Sequence, residues 1–241
     1  MSDGLVLRGV TYHHGDVCIL NEQDLAIPRG GTLLVTGANG AGKSTLMYLC
    51  AGLVRPDRGE VRLNGENVSG ILPSSLMRVG IRRGFVFQQG GLISNLSALA
   101  NVALALRYHA DLLDMSEAVI NERAQFCLGA VGVESPDIHA LPGLLSFGIY
   151  KRVAFARALA LEPNYAFFDD PDAGLDRENA QVVQDILVSY HNDPNVTMVI
   201  ATNHRLLIER LGIPIHVLDE GQLTAVDRHS LQRPSVRNSL V

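Results

Sequence analysis

The stretch Gly37-Ala-Asn-Gly-Ala-Gly-Lys43-Ser44 constrains this chain more than any other. It fits the pattern G-x-x-x-x-G-K-[ST] and follows an apolar run, Leu33-Leu34-Val35-Thr36. The segment that opens at Ser44 places Leu46, Leu49, Cys50 and Leu53 at helical spacing before Pro56, so the order is strand, glycine loop, helix. That context is what the motif requires. Glycines let the backbone curl until successive N–H groups point inward, and a helix N-terminus adds its positive dipole end at the same spot. Gly37, Asn39, Gly40, Ala41, Gly42 and Thr45 would line a phosphate cradle. Lys43 would reach the β- and γ-phosphates of ATP, and the Ser44 hydroxyl would ligate Mg²⁺. A merely tight glycine turn is the competing reading.

Other apolar runs are short and bounded by turn residues, as strands are: Leu5–Val10, Glu60–Leu63, Gly84–Phe87, Tyr165–Phe168, Thr197–Thr202 and Ile213–Leu218. Helical patterns at Ser146–Leu161 and Asp176–His191 each feed a strand, the alternation of parallel β-α units. From about Leu96 to Val133 the pattern is helical throughout. The prediction is one α/β domain of 241 residues: a P-loop core from 1–90 and 162–241, an antiparallel β portion near the N-terminus, and an inserted helical subdomain over approximately 91–161.

Tyr165-Ala-Phe-Phe168-Asp169-Asp170 is an apolar strand ending in two acids. In a parallel sheet that end is where nucleotide sites form, so Asp169 is a candidate to hold Mg²⁺ across from Ser44. Strand alternation would turn Asp170 elsewhere, toward an attacking water. A helix N-terminal turn would also welcome such acids.

Bulk properties narrow the function further. No run approaches the ~20 apolar residues that cross a bilayer, and the start MSDGLVLRGV lacks the pattern of an export signal, so a cytoplasmic location is expected. Lys+Arg 20 against Asp+Glu 25 leaves a net charge of -5, with no basic block beyond Arg82-Arg83, which argues against nucleic acid as a partner. Cys18, Cys50 and Cys127 lack metal-ligand spacing and read as reduced, packed thiols. The histidine pair His13-His14 has no further ligands nearby, and the tail from His229 is polar.

Leu145-Ser146-Phe147-Gly148-Ile149, followed by Tyr150-Lys-Arg-Val-Ala-Phe-Ala-Arg157, resembles the signature Leu-Ser-Gly-Gly-Gln of ABC ATPases and the helix after it. Tyr12 stands where that family stacks an aromatic on adenine, Gln88 in the Q-loop, and Ala173-Gly-Leu-Asp176 in the D-loop. The resemblance runs from Leu5 to about Leu223. It implies the ATP-binding subunit of a transporter, working as a head-to-tail dimer with transmembrane permease subunits. Each ATP would lie between one chain's phosphate loop and the signature of the other, whose Ser146 and Gly148 would meet the γ-phosphate. Gln88 would sense Mg²⁺ and water, and Gly90-Gly-Leu-Ile93 would contact the permease. Within the family the chain is similar to the ATPases of MCE-type phospholipid transporters, on Phe87-Gln-Gln-Gly-Gly-Leu-Ile-Ser-Asn-Leu96, Asn101–His109 and Leu231–Arg237. That likeness implies the cytoplasmic face of an inner membrane and an MCE-type substrate-binding protein in the complex.

Three residues depart from the pattern. Asp170 replaces the catalytic glutamate, withdrawing the carboxylate by about 1.5 Å, and a displacement near 1 Å can cost ~100-fold in rate. Phe147 replaces the first signature glycine. Asn203 occupies the switch-histidine position if the strand is aligned without a gap, with His204 one residue later and in register only through a bulge. Slow hydrolysis is expected in a homodimer or in a heterodimer with a paralogue. A degenerate ATPase whose nucleotide-dependent dimerisation is structural or regulatory is the alternative.

Overall fold

The computed structural model describes residues 3–226. In chain order the strands are β1 (Asp3–His14), β2 (Val17–Pro28), β3 (Thr32–Thr36), β4 (Arg58–Leu63), β5 (Glu66–Asn67), β6 (Arg83–Val86), β7 (Tyr165–Asp169), β8 (Thr197–Ala201), β9 (Ile215–Asp219) and β10 (Gln222–Val226). The α-helices are α1 (Lys43–Cys50), α2 (Pro73–Arg78), α3 (Ala98–Tyr108), α4 (Ala110–Leu113), α5 (Glu117–Ala130), α6 (Phe147–Leu159), α7 (Arg177–His191) and α8 (Arg205–Leu211). They form two compact units: residues up to Leu72 together with those from Tyr190 onward, and Pro73–Ser189.

The first unit holds an antiparallel layer in the order β2-β1-β4-β5 and a second run of strands in the order β10-β9-β3-β8. β3 pairs in parallel with β8 on one side and β9 on the other, so Leu34 faces Ile200 and Ile215. Leu33, Leu34 and Val35 are wholly buried, and burial on both faces is why the run reads as continuously apolar rather than alternating.

Four readings need correcting in this unit. Helix α1 ends at Cys50, and Gly52 (φ +67°) turns the chain away, so Leu53 is 50% exposed instead of sharing the buried face. Strand β2 went unread because Asn21-Glu-Gln-Asp24 interrupts its apolar residues and Glu22, at φ +45°, breaks the alternation. Strand β10 returns on β9 through Glu220-Gly221, both at positive φ, the conformation of a two-residue type I′ hairpin turn. Cys18 on β2 is exposed, so packed thiols describe only Cys50 and Cys127.

In the second unit β6 and β7 pair in parallel from Arg83↔Tyr165 to Val86↔Phe168. Phe85 stacks on Phe167 and Phe155 of α6 on Phe168. The long helical stretch resolves into α3, α4 and α5, with Ser97 and Ser116 as N-caps accepting from Ala100 N–H and Val119 N–H. Among the described residues no helix is long and apolar enough to cross a membrane. The polar tail from His229 and the stretch Leu231–Arg237 lie outside the described residues.

Candidate nucleotide site

Strand β3 delivers the phosphate loop to the start of α1. Gly42 is the N-cap at φ +98°, where a Cβ would fall 2.4 Å from Ile19 Cγ2, so only glycine closes the loop onto β2. No side chain caps α1 and no acid sits in its first turn, which leaves its N-terminal amides and dipole end to an anion. Lys43 is 7% exposed, and its ammonium donates to the carbonyls of Gly37 (2.8 Å) and Ala38 (3.0 Å). Asn39 and Gly40 are exposed at the crown, while Ala41, Ser44 and Thr45 are half-buried. A buried lysine beside an uncapped helix N-terminus suits a polyphosphate, and the Ser44 hydroxyl at the helix start suits a Mg²⁺ riding on it. Among the described residues no group of three or more His, Cys, Asp or Glu is placed to hold a metal ion.

Tyr12 lies in β1 of the same unit, half-buried, across from Leu20 at an irregular stretch of the β1–β2 register. Asp57 brackets it. The Asp57 N–H donates to Thr11 C=O (2.9 Å), and its carboxylate accepts from both the N–H (2.8 Å) and the ring Nδ1 (2.9 Å) of His13. Those bonds hold the Asp57 carboxyl below the usual range.

The parallel ladder of β3 and β8 keeps its register through Val35↔Ala201 and extends to a bond from Thr202 N–H to Val35 C=O, without the bulge that His204 would need. Asn203 is therefore the residue whose side chain meets the phosphate loop, bonding Thr36 and Gly37. His204 stands exposed at the N-cap of α8, its N–H donating to Thr202 Oγ1.

In the second unit β7 is buried from end to end, Asp169 being 2% exposed. Asp170 is half-buried at φ +40°, so a left-handed turn, not strand alternation, sets its direction. Sequence reasoning missed Lys151 on α6, whose side chain is fully buried. Its ammonium donates to the backbone carbonyls of Gln88 and, at 3.4 Å, Asp170. Burial lowers its pKa, against the opposing pull of Asp170, Asp172 and Asp169. The signal was available: Lys151 precedes the buried Phe155 and Leu159 at steps of four. Gln88 is exposed, and the loop after it is clasped by α6. Arg157 donates to Gly90 and Gly91 carbonyls, and Leu92 N–H donates to the Tyr150 hydroxyl.

Ser146 caps α6, its Oγ accepting from Ile149 N–H at 3.3 Å. Gly148 is buried under Asn179; a Cβ there would lie 2.3 Å from the Asn179 amide carbon, so this glycine serves the close approach of α6 and α7. Asn179 in turn donates through its N–H and Nδ2 to Asp176. The Phe147 ring is 50% exposed and lies against Gly174, with the Lys151 ammonium 5.9 Å from its centroid.

A phosphate loop on β3, an acid-ended β7 and a serine-capped α6 define a P-loop ATPase of the cassette type, and the profile of the ABC transporter family matches residues 20–173. The chain belongs to that family, as the ATP-binding subunit of a transporter with the ABC ATPase fold. It is 33% identical to the intermembrane phospholipid transport system ATP-binding protein MlaF of Escherichia coli (strain K12), over 82% of this chain and 72% of that one. It is 36% identical to the lipoprotein-releasing system ATP-binding protein LolD of Roseobacter denitrificans, over 92% of this chain and 98% of that one. Among solved structures, the ATP-binding cassette MJ0796, a dimer bound to ADP and Pi in a post-hydrolysis state, superposes with a TM-score of 0.81 at 31% identity, covering 92% of this chain and 98% of that one.

Proposed function

We propose that this chain hydrolyses Mg·ATP to drive a transporter of phospholipid or another lipid, with permease subunits at the cytoplasmic face of an inner membrane. The observation that carries the reading is its likeness, over 82% of its length, to a phospholipid transport ATPase. In this reading Gly37–Ser44 and Thr45 hold the triphosphate and Tyr12 stacks on the base. Ser44, Gln88 and Asp169 share Mg²⁺, whose charge offsets that of the phosphates. Asp170 orients the attacking water. Ser146 and Gly148 of a second cassette chain, identical or paralogous, complete each site. An MCE-type protein would present the lipid. Purifying the membrane complex and identifying its bound lipid tests the cargo; recovery of lipoprotein alone would move the assignment toward the releasing systems.

Turnover is slow in this reading, because Asp170 falls short by about 1.5 Å and misplacement on that scale costs ~100-fold. Restoring Asp170→Glu and Phe147→Gly in the assembled complex is expected to raise steady-state phosphate release by about tenfold or more. Unchanged rates for both variants would remove the claim. A nucleotide-gated structural subunit is favoured instead by one observation, the Phe147 ring lying against Gly174 of its own chain. Absence of phosphate release by the complex would select it.

A further inference from the structure

We infer that Asn203 is a positioning residue for the phosphate loop, holding the Gly37 peptide in the orientation that receives a polyphosphate, and does not read the γ-phosphate. The inference rests on the reading of that loop as the ATP site. Three of the four hydrogen-bonding places of the Asn203 amide go to the junction of β3 and the loop. Its Oδ1 accepts from the Thr36 hydroxyl at 2.7 Å and from Gly37 N–H at 3.3 Å, and its Nδ2 donates to Gly37 C=O at 3.0 Å. The partners fix which end is which, since a flipped amide would set a donor against the Gly37 N–H and an acceptor against its carbonyl.

The Gly37 peptide needs such a hold. At φ +155° a Cβ would lie 2.5 Å from Leu218 C=O, so the backbone runs hard against β9 on one side. Its carbonyl already accepts from Lys43 Nζ at 2.8 Å, and Lys43 is the side chain that must swing to phosphate when nucleotide binds. If the lysine were the sole tether, Gly37 would lose its orientation at the moment of binding. Asn203 keeps a second bond on the same carbonyl and a bond on the N–H. Thr36, 1% exposed, needs an acceptor for its hydroxyl, and Asn203 supplies that as well. A carboxamide suits the task because its donor and acceptor sit side by side, whereas the two nitrogens of an imidazole point apart. The asparagine is thus a fitted part of the loop and not a lapsed histidine.

A loop-positioning role acts on the phosphates that ATP and ADP have in common. Direct titration of the full chain with Mg·ATP and with Mg·ADP is therefore decisive. Asn203→Ala is expected to raise both Kd values by roughly tenfold with their ratio unchanged. Loss confined to ATP would make Asn203 a γ-phosphate sensor and overturn the inference, and so would two unchanged affinities. Because Asn203→Ala strands the Thr36 hydroxyl, Thr36→Val gives a second reading in a better-packed background. It is expected to weaken both nucleotides equally and by less, and no change in either affinity would count against the inference. If the unmodified chain bound neither nucleotide, the ATP-site reading itself would fall, an outcome distinct from either result with the variants.

Discussion

Burial without a charge partner moves an ionisable side chain far from its ordinary behaviour. Cys50 is wholly enclosed and its thiol is pushed up to about 12, because the thiolate would lose its hydration. Cys127 shifts in the same direction for the same reason, while Cys18 is exposed. At pH 8 an aromatic disulfide reagent should modify one thiol per folded chain rapidly and the other two only after denaturation. Two fast thiols in the folded protein would contradict this packing. Lys151 shows how far composition can mislead at this scale. A lysine in a helix is normally a solvated residue, and only its place at i−4 from Phe155 marks it as an inward-facing charge.

The β1–β2 hairpin is the element in which sequence and structure part most. Its apolar residues do not alternate cleanly, because bulges between Leu7 and His13 shift the pairing, and a pattern with period two cannot be read through a register shift. By contrast β3, β7 and β8 were legible almost to the residue, since each is buried on both faces and reads as one short, continuous apolar run. The position of Asp169 at the end of β7 followed from that, but the grip of Asp57 on the peptides flanking Tyr12 did not. Nothing in the local sequence Arg55-Pro-Asp57 announces a contact with residue 13. Asp57→Ala is expected to weaken Mg·ATP about threefold to tenfold, approaching Tyr12→Ala, while inorganic tripolyphosphate binds unchanged. An equal loss for tripolyphosphate would show that Asp57 supports the whole unit instead. The carboxyl of Asp57 lies below its ordinary 3.8, so its support is complete above that pH and is lost only as the pH falls through the lower, folded value.

At the scale of the whole molecule, the ordered set of motifs made the family legible. Cargo was not, because relatives at similar identity carry phospholipid transport in one name and lipoprotein release in the other. The proposed motor cycle demands that two cassettes close on nucleotide. Asp170→Asn in the presence of Mg·ATP should therefore elute as a dimer, and as a monomer with Mg·ADP; a species of the same size in both would separate association from nucleotide state. The grip of α6 on the loop after Gln88 bears on how such a cycle reaches a permease. Tyr150 and Arg157 stand about two helical turns apart, and with Lys151 between them they fasten the loop to the helix at Gln88, Gly90, Gly91 and Leu92. A loop clamped along that span has no slack. Force arriving on the loop must swing the helix as a crank, carrying Ser146 at its tip and tugging the peptide of Asp170 by the same ammonium that anchors it.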